Sequence, residues 1–241
     1  MSFEVPILVV IIITGAVLSV IFNKLTLFAG FTGCMIAALI FAGGGYTGIV
    51  IMTAFFVSGV IVTGWKSSQK LKSGLAENKT GMRNAAQVWA NAGAPAITGL
   101  LYVLNIIPKP LSILIIAACF SSATADTVSS EMGNVYGKKY YNILTLKKDK
   151  RGLNGVVSME GFLFGLGSSI LIAVIYSYTY GWNIYSYIII IAGTAGNILD
   201  SVLGATAERK GYLNNNTVNF LNTLFAGLLA ASLYLFTTTN G

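Results

Sequence analysis

The stretch Leu111-Ser112-Ile113-Leu114-Ile115-Ile116-Ala117-Ala118-Cys119-Phe120-Ser121-Ser122-Ala123-Thr124-Ala125-Asp126-Thr127-Val128-Ser129-Ser130-Glu131 decides how this chain is read. Its first half is almost purely apolar. Its second half is rich in hydroxyls and carries two carboxylates, Asp126 and Glu131. A membrane-spanning helix needs roughly 20 mostly apolar residues, and this stretch has that length. A carboxylate at membrane depth is costly and usually functional. One segment therefore argues both for a bilayer and for chemistry at one end of it.

Composition supports the bilayer. The 241 residues are 55% hydrophobic and only 10% charged, against about 25% charged in soluble domains. Further apolar segments lie near Val5–Phe22, Leu25–Gly44, Tyr46–Trp65, Ala85–Leu104, Val156–Tyr176, Tyr185–Ala207 and Val218–Phe236. The first has Glu4 where a signal peptide has basic residues, so it is kept as a helix. The expected fold is an all-α polytopic membrane bundle of about eight transmembrane helices. It forms a single transmembrane domain over residues 1–241.

The charges orient it. Fourteen of the fifteen Lys and Arg residues fall in the first, third, fifth and seventh connections, and Lys109 alone falls on the other side. Positive residues stay cytoplasmic, so both termini are expected outside. Two cytoplasmic loops are long, at about 66–84 and 133–155. Function concentrates on loops held by a rigid scaffold, so the active site is expected on the cytoplasmic side. The net charge of +7 is explained by orientation and anionic headgroups, with no nucleic acid partner implied. Cys34 and Cys119 lie inside apolar segments and read as packing residues.

Polar stripes recur at that same end. Asn84, Gln87 and Asn91 share one face of the fourth segment, and Asn197, Asp200, Ser201 and Gly204 share one face of the seventh. Asn215, Asn219 and Asn222 do so at the start of the eighth. Interhelical hydrogen bonding could explain any one of them, but the agreement in depth points to a site. Asp126 and Glu131 stand about 140° apart on a straight helix. They could share a metal only if the helix unwinds or ends between them; alternatively Asp126 faces Asp200 while Glu131 caps the helix or reaches the loop. Glu160 is another carboxylate at this depth.

Carboxylates, amides and hydroxyls beside loop Lys and Arg form a hard-oxygen set suited to Mg²⁺ and phosphates. The chain has no His, which removes the imidazole base. Phosphoryl transfer is mostly positioning and electrostatics and can proceed without one. Neither G-x-x-x-x-G-K-[ST] nor G-x-G-x-x-G occurs. Gly43-Gly44-Gly45 reads as a turn, and Gly161 with Gly165 as a helix contact.

The run Arg83-Asn84-Ala85-Ala86-Gln87-Val88-Trp89-Ala90-Asn91-Ala92-Gly93 carries a resemblance, as do Ala123-Thr124-Ala125-Asp126-Thr127 with Ser130-Glu131 and Gly133. Gly152 to Gly155, Gly196 with Asp200-Ser201-Val202-Leu203-Gly204-Ala205-Thr206, and Asn219 with Asn222 complete it. In these pieces the chain resembles the integral-membrane family that includes plant and cyanobacterial phytyl-phosphate kinases and animal transmembrane protein 19. The resemblance implies a prenyl-phosphate kinase taking a nucleoside triphosphate, CTP favoured, as donor. Two departures concern substrate preference: Gly152-Leu153-Asn154-Gly155-Val156-Val157-Ser158 replaces a Gly-Thr-x-Gly-Gly-Val-Ser stretch, and Glu208-Arg209 stands where Gln is common.

On this reading Asp126, Asp200 and Glu131 hold Mg²⁺. Asn84, Gln87, Asn91, Asn219 and Asn222 orient phosphates or carboxylates, with Thr127, Ser130, Asn197 and Ser201 beside them. Lys70, Lys72 and Arg83 neutralise donor phosphates, and the isoprenoid tail lies among the apolar helices. A transporter or flippase, and a cytidylyltransferase-like enzyme, are the alternatives.

Overall fold

The computed structural model describes residues 4–75 and 81–239. Lys79, one of the charges in the 66–84 loop, lies outside the described residues. Eight α-helices account for most of the described chain: α1 (Glu4–Ile21), α2 (Leu27–Gly64), α3 (Ser67–Lys72), α4 (Ala85–Val103), α5 (Lys109–Tyr136), α6 (Met159–Tyr180), α7 (Ile184–Leu203) and α8 (Asn215–Thr239). A π-helical turn, Gly204–Glu208, continues α7. Strands β1 (Tyr141–Asn142) and β2 (Val156–Val157) form a small antiparallel pair. Five of these helices, α2, α5, α6, α7 with its π turn, and α8, are long and apolar enough to cross a membrane.

The second and third expected spans are joined in α2. A straight helix of 38 residues would reach about 57 Å, nearly twice a hydrocarbon core of about 30 Å. Instead Gly45 takes φ 62° and ψ −155°, a left-handed conformation that a Cβ would oppose. Both arms then return to one residue. Thr26, the N-cap of α2, donates its N–H to the Arg83 carbonyl at 3.0 Å. Gly59, in the second arm, packs against the Arg83 guanidinium, which also lies 5.2 Å from the Phe55 ring centre. The helix is therefore a hairpin folded at Gly45.

The stretch that opened the reading is the bundle's central element. α5 packs against α2, α4, α6, α7 and α8, and Ile113, Leu114, Ile116, Ala117, Ala118 and Phe120 are buried. Its small residues let neighbours come close. A Cβ on Gly193 of α7 would sit 1.9 Å from Ser121 Oγ. The Gly161/Gly165 pair of α6 does the same against α5, beside Ser129, Gly133 and Ala125, as its spacing suggested.

Two loops differ from expectation. The 66–84 connection contains α3, with Lys70 buried in it. α5 continues to Tyr136, so the next loop starts later. α6 starts at Met159, not Val156. Val156–Val157 pair with β1, and Ser158 Oγ caps the helix by accepting from the Gly161 N–H at 3.1 Å.

Exposed aromatics mark both ends of the bundle. Tyr178, Tyr180, Trp182 and Tyr187 lie at one, Trp65, Trp89, Tyr136 and Tyr212 at the other. Such belts sit at membrane–water interfaces. Between them the surface carries exposed Val, Leu, Ile and Phe side chains on several helices.

Candidate active site

The helix ends bearing the polar stripes enclose a cavity of about 910 Å³. α4 contributes Gln87 and Asn91, and α5 contributes Asp126, Thr127, Ser130 and Glu131. α7 contributes Asn197, Asp200 and Ser201, and α8 contributes Asn219. Arg83 reaches it from the loop before α4. Eleven of the residues anticipated from sequence thus line one space.

Asp200 is held from α8. Its Oδ2 accepts from Asn222 Nδ2 at 2.6 Å. Asn222 is buried, and its own Oδ1 accepts from Ser122 Oγ at 3.1 Å. With its amide nitrogen turned to the carboxylate, Asn219 donates to the same oxygen at 3.2 Å. Asn222 itself does not line the cavity; it stands behind Asp200 and fixes it. Asp126 is placed one turn before Ser129, whose Oγ donates to the Asp126 carbonyl and to Asn197 Oδ1, both at 3.0 Å. That link ties the two carboxylate-bearing helices together.

The π turn begins one helical turn after Asp200, at Gly204. Single π-helical turns inside α-helices frequently mark functional sites. Here Gly155, at φ 72°, lies against it: a Cβ there would fall 2.3 Å from the Ala205 nitrogen. Gly155 therefore lets the loop before α6 seat its backbone on the end of α7.

Among the described residues no group of three His, Cys, Asp or Glu side chains is placed to hold a metal, Asp126, Glu131 and Asp200 included. α5 stays helical through both of its carboxylates, so they remain on different faces. Glu131 is instead paired with Lys70. Lys70 is almost fully buried and also donates to the Val62 and Thr63 carbonyls at 3.0 and 2.9 Å, the last carbonyls of α2. It lies outside the cavity lining, and Lys72 is exposed on α3 and also lines no part of it. Asn84 serves as the N-cap of α4, exchanging bonds of 3.0 Å with Gln87 in a capping box.

Glu160, the further carboxylate at this depth, also lines the cavity. So do Lys138 and Lys139, which counted only toward orientation, and Ser129, Ser158 and Asn154, which carried no role in the site. Glu160 Oε2 accepts from the Lys138 N–H at 3.3 Å. The glycines at 152 and 155 were the available signal, since they bend the loop back over the helix ends.

The family described as Integral membrane protein DUF92 matches residues 9–227. The chain belongs to that integral membrane family. An uncharacterized membrane protein of Synechocystis is 33% identical over 204 residues, covering 81% of this chain and 77% of the relative. The chloroplastic protein VTE6 of Arabidopsis thaliana is 30% identical over 203 residues, covering 81% of this chain and 61% of its own length. An uncharacterized membrane protein of Methanocaldococcus jannaschii is 29% identical over 195 residues, covering 79% and 77%. No solved structure matches. The family's description as integral membrane fits the five helices long and apolar enough to cross a bilayer, and the polar cavity lies at one end of that bundle.

Proposed function

We propose that this protein is a membrane-embedded kinase. It transfers a phosphoryl group from a nucleoside triphosphate, CTP favoured, to a prenyl monophosphate such as phytyl or geranylgeranyl phosphate. The observation that carries this is the joint placement of Asp126 and Asp200, from two helices, in one amide-rich cavity. The resemblance of its motifs to phytyl-phosphate kinases supports the reading, as does the similarity to VTE6. The cavity opens on the Lys- and Arg-rich side, which we assign to the cytoplasm, with both termini outside.

The donor set fits Mg²⁺, which takes one or two carboxylates plus substrate phosphates and water. Asp126 and Asp200 would hold it, with Glu131 kept at the edge by Lys70. Bound there, the ion neutralises charge on the transferring phosphoryl group. Arg83, Lys138 and Lys139 neutralise the donor's remaining phosphate charge. An oxygen of the prenyl monophosphate attacks the terminal phosphorus. The bond to the nucleoside diphosphate breaks, and prenyl diphosphate remains. The attacking oxygen is already ionised, so no imidazole is needed. Asn219 and Asn222 keep Asp200 oriented throughout.

The test is to incubate purified protein with geranylgeranyl phosphate, Mg²⁺ and each nucleoside triphosphate, and to weigh the products. Prenyl diphosphate with nucleoside diphosphate is expected, and chelation should stop its formation. Pyrophosphate with a nucleotidyl lipid would make the protein a cytidylyltransferase. Substrate crossing a liposome membrane without nucleotide use would make it a transporter.

The role of Asn222 gives a second expectation. Asn222→Leu keeps the branching and heavy-atom count of the side chain but removes the donor to Asp200 and the acceptor for Ser122. Outer partners of metal-holding groups are commonly worth about 10–100-fold in affinity or activity. The expected result is a loss of that size, accompanied by a higher Mg²⁺ requirement. An unchanged Mg²⁺ dependence would reduce Asn222 to a packing residue.

A further inference from the structure

The cavity has an apolar edge as well as its charged lining. Phe162 of α6 and Ile198 of α7 both line it. Both are partly exposed, by 36% and 41%, and Ile198 shares one face of α7 with the exposed Ile184, Tyr187 and Ile191. Met159, the first residue of α6, lines the cavity and is exposed as well.

Depth decides what that exposure means. Ile198 precedes Arg209 by eleven residues, about 16 Å along a helix axis. That places it in the hydrocarbon layer, beneath the charged rim. A side chain open to the outside there meets lipid rather than water. Farther along, α6 and α7 are closed together. A Cβ on Gly165 would lie 2.8 Å from Asn197 Nδ2, and one on Gly193 would lie 2.9 Å from Ser169 Oγ. Ser177 Oγ and Ser186 Oγ meet at 2.7 Å near the far ends. The apolar edge lies at the level of the Gly165–Asn197 contact and toward the charged rim, flanked by Phe162 and Ile198.

We propose that this edge is a lateral portal for the tail of a prenyl monophosphate. The inference rests on the kinase reading and specifies how its lipid substrate binds. An ionised head joined to an apolar chain suits a polar cavity with one apolar side opening into lipid. The phosphate sits near Asp126 and Asp200, the first isoprene unit passes between Phe162 and Ile198, and the rest of the chain stays in the bilayer. A soluble acceptor has no use for such an edge. The enzyme should therefore require a tail long enough to reach the bilayer and be indifferent to length beyond it.

The experiment uses the full chain in lipid nanodiscs. A geranylgeranyl phosphate probe with a diazirine in its first isoprene unit is photolysed, and the label is mapped by mass spectrometry. Label on the peptides holding Phe162 and Ile198 is expected, displaced by geranylgeranyl phosphate and not by phosphatidic acid. Label elsewhere, no label, or equal displacement by phosphatidic acid overturns the portal.

In parallel, Ile198→Trp should lower kcat/KM for geranylgeranyl phosphate by about tenfold, the usual scale of steric crowding. Leu171→Trp, exposed about 180° around α6 from Phe162, should stay within about twofold of the parent because it changes neither cavity nor edge. If diphosphate forms while the label and Ile198→Trp show no effect, the portal falls and the kinase reading stands. If the label maps to the portal with the expected competition but no diphosphate forms, the kinase reading falls and lipid-phosphate binding stands.

Discussion

Replacing Asp126 or Asp200 with asparagine is expected to lower turnover by about a thousandfold or more while the bundle still folds. Both substitutions keep size and remove charge. Fixed charges facing a transferring phosphoryl group act where water is largely excluded, and each can be worth about 10²–10³ in rate. Loss of a metal-holding carboxylate adds loss of the ion's own contribution. The fold should tolerate the change, because Asp200 is not among the fully buried residues and an amide can still accept from Asn222. The checks are product formation by the purified variants and their thermal unfolding in detergent beside the parent. Asp126→Asn with full kinase activity would remove the basis for the mechanism.

Lys70→Met should be among the most destabilising single changes in the chain. Removing one partner of a buried ion pair costs about 3–5 kcal/mol, because the other charge is left uncompensated. Here the loss also removes the ammonium's bonds to the Val62 and Thr63 carbonyls, of which Val62 keeps the Trp65 N–H. Lys70→Met combined with Glu131→Gln should recover part of the stability, since no unpaired charge remains. Unfolding temperatures of the two variants test this. A parental melting temperature for Lys70→Met would show that the pair contributes nothing. The double variant also tells stability apart from chemistry: a well-folded protein with low activity would assign Glu131 a part in the reaction.

Much of the architecture was legible because a bilayer imposes long-range order on a sequence. Apolar length marked the helices, the triple glycine marked the fold of α2 at Gly45, and the Lys and Arg residues marked one end. The amide stripes on three helices and the polar end of a fourth shared a depth, and that was enough to predict that they meet. Pairings between loop and helix were not legible. Lys70 finds Glu131 across 61 residues of sequence, and nothing local distinguishes it from Lys72, which stays exposed. Asn84 looked equivalent to Gln87 and Asn91 by spacing, yet it stands before the first turn of α4, where it caps the helix and lines no part of the cavity. Asn222 was on the correct stripe but one layer deep, where it serves Asp200 and does not reach the cavity.

The enclosure of α5 bears on how the protein is made. The segment leaves the ribosome after α2 and α4 but before α6, α7 and α8. At that moment the flank bearing Ser121 and Ser122 lacks the neighbours on α7 and α8 that later cover it. Exposed to hydrocarbon, such a helix is poorly soluble in the bilayer. Insertion of α5 is therefore coupled to synthesis of the C-terminal third of the chain, and truncation before α8 should leave a product that the cell degrades instead of a smaller, stable bundle.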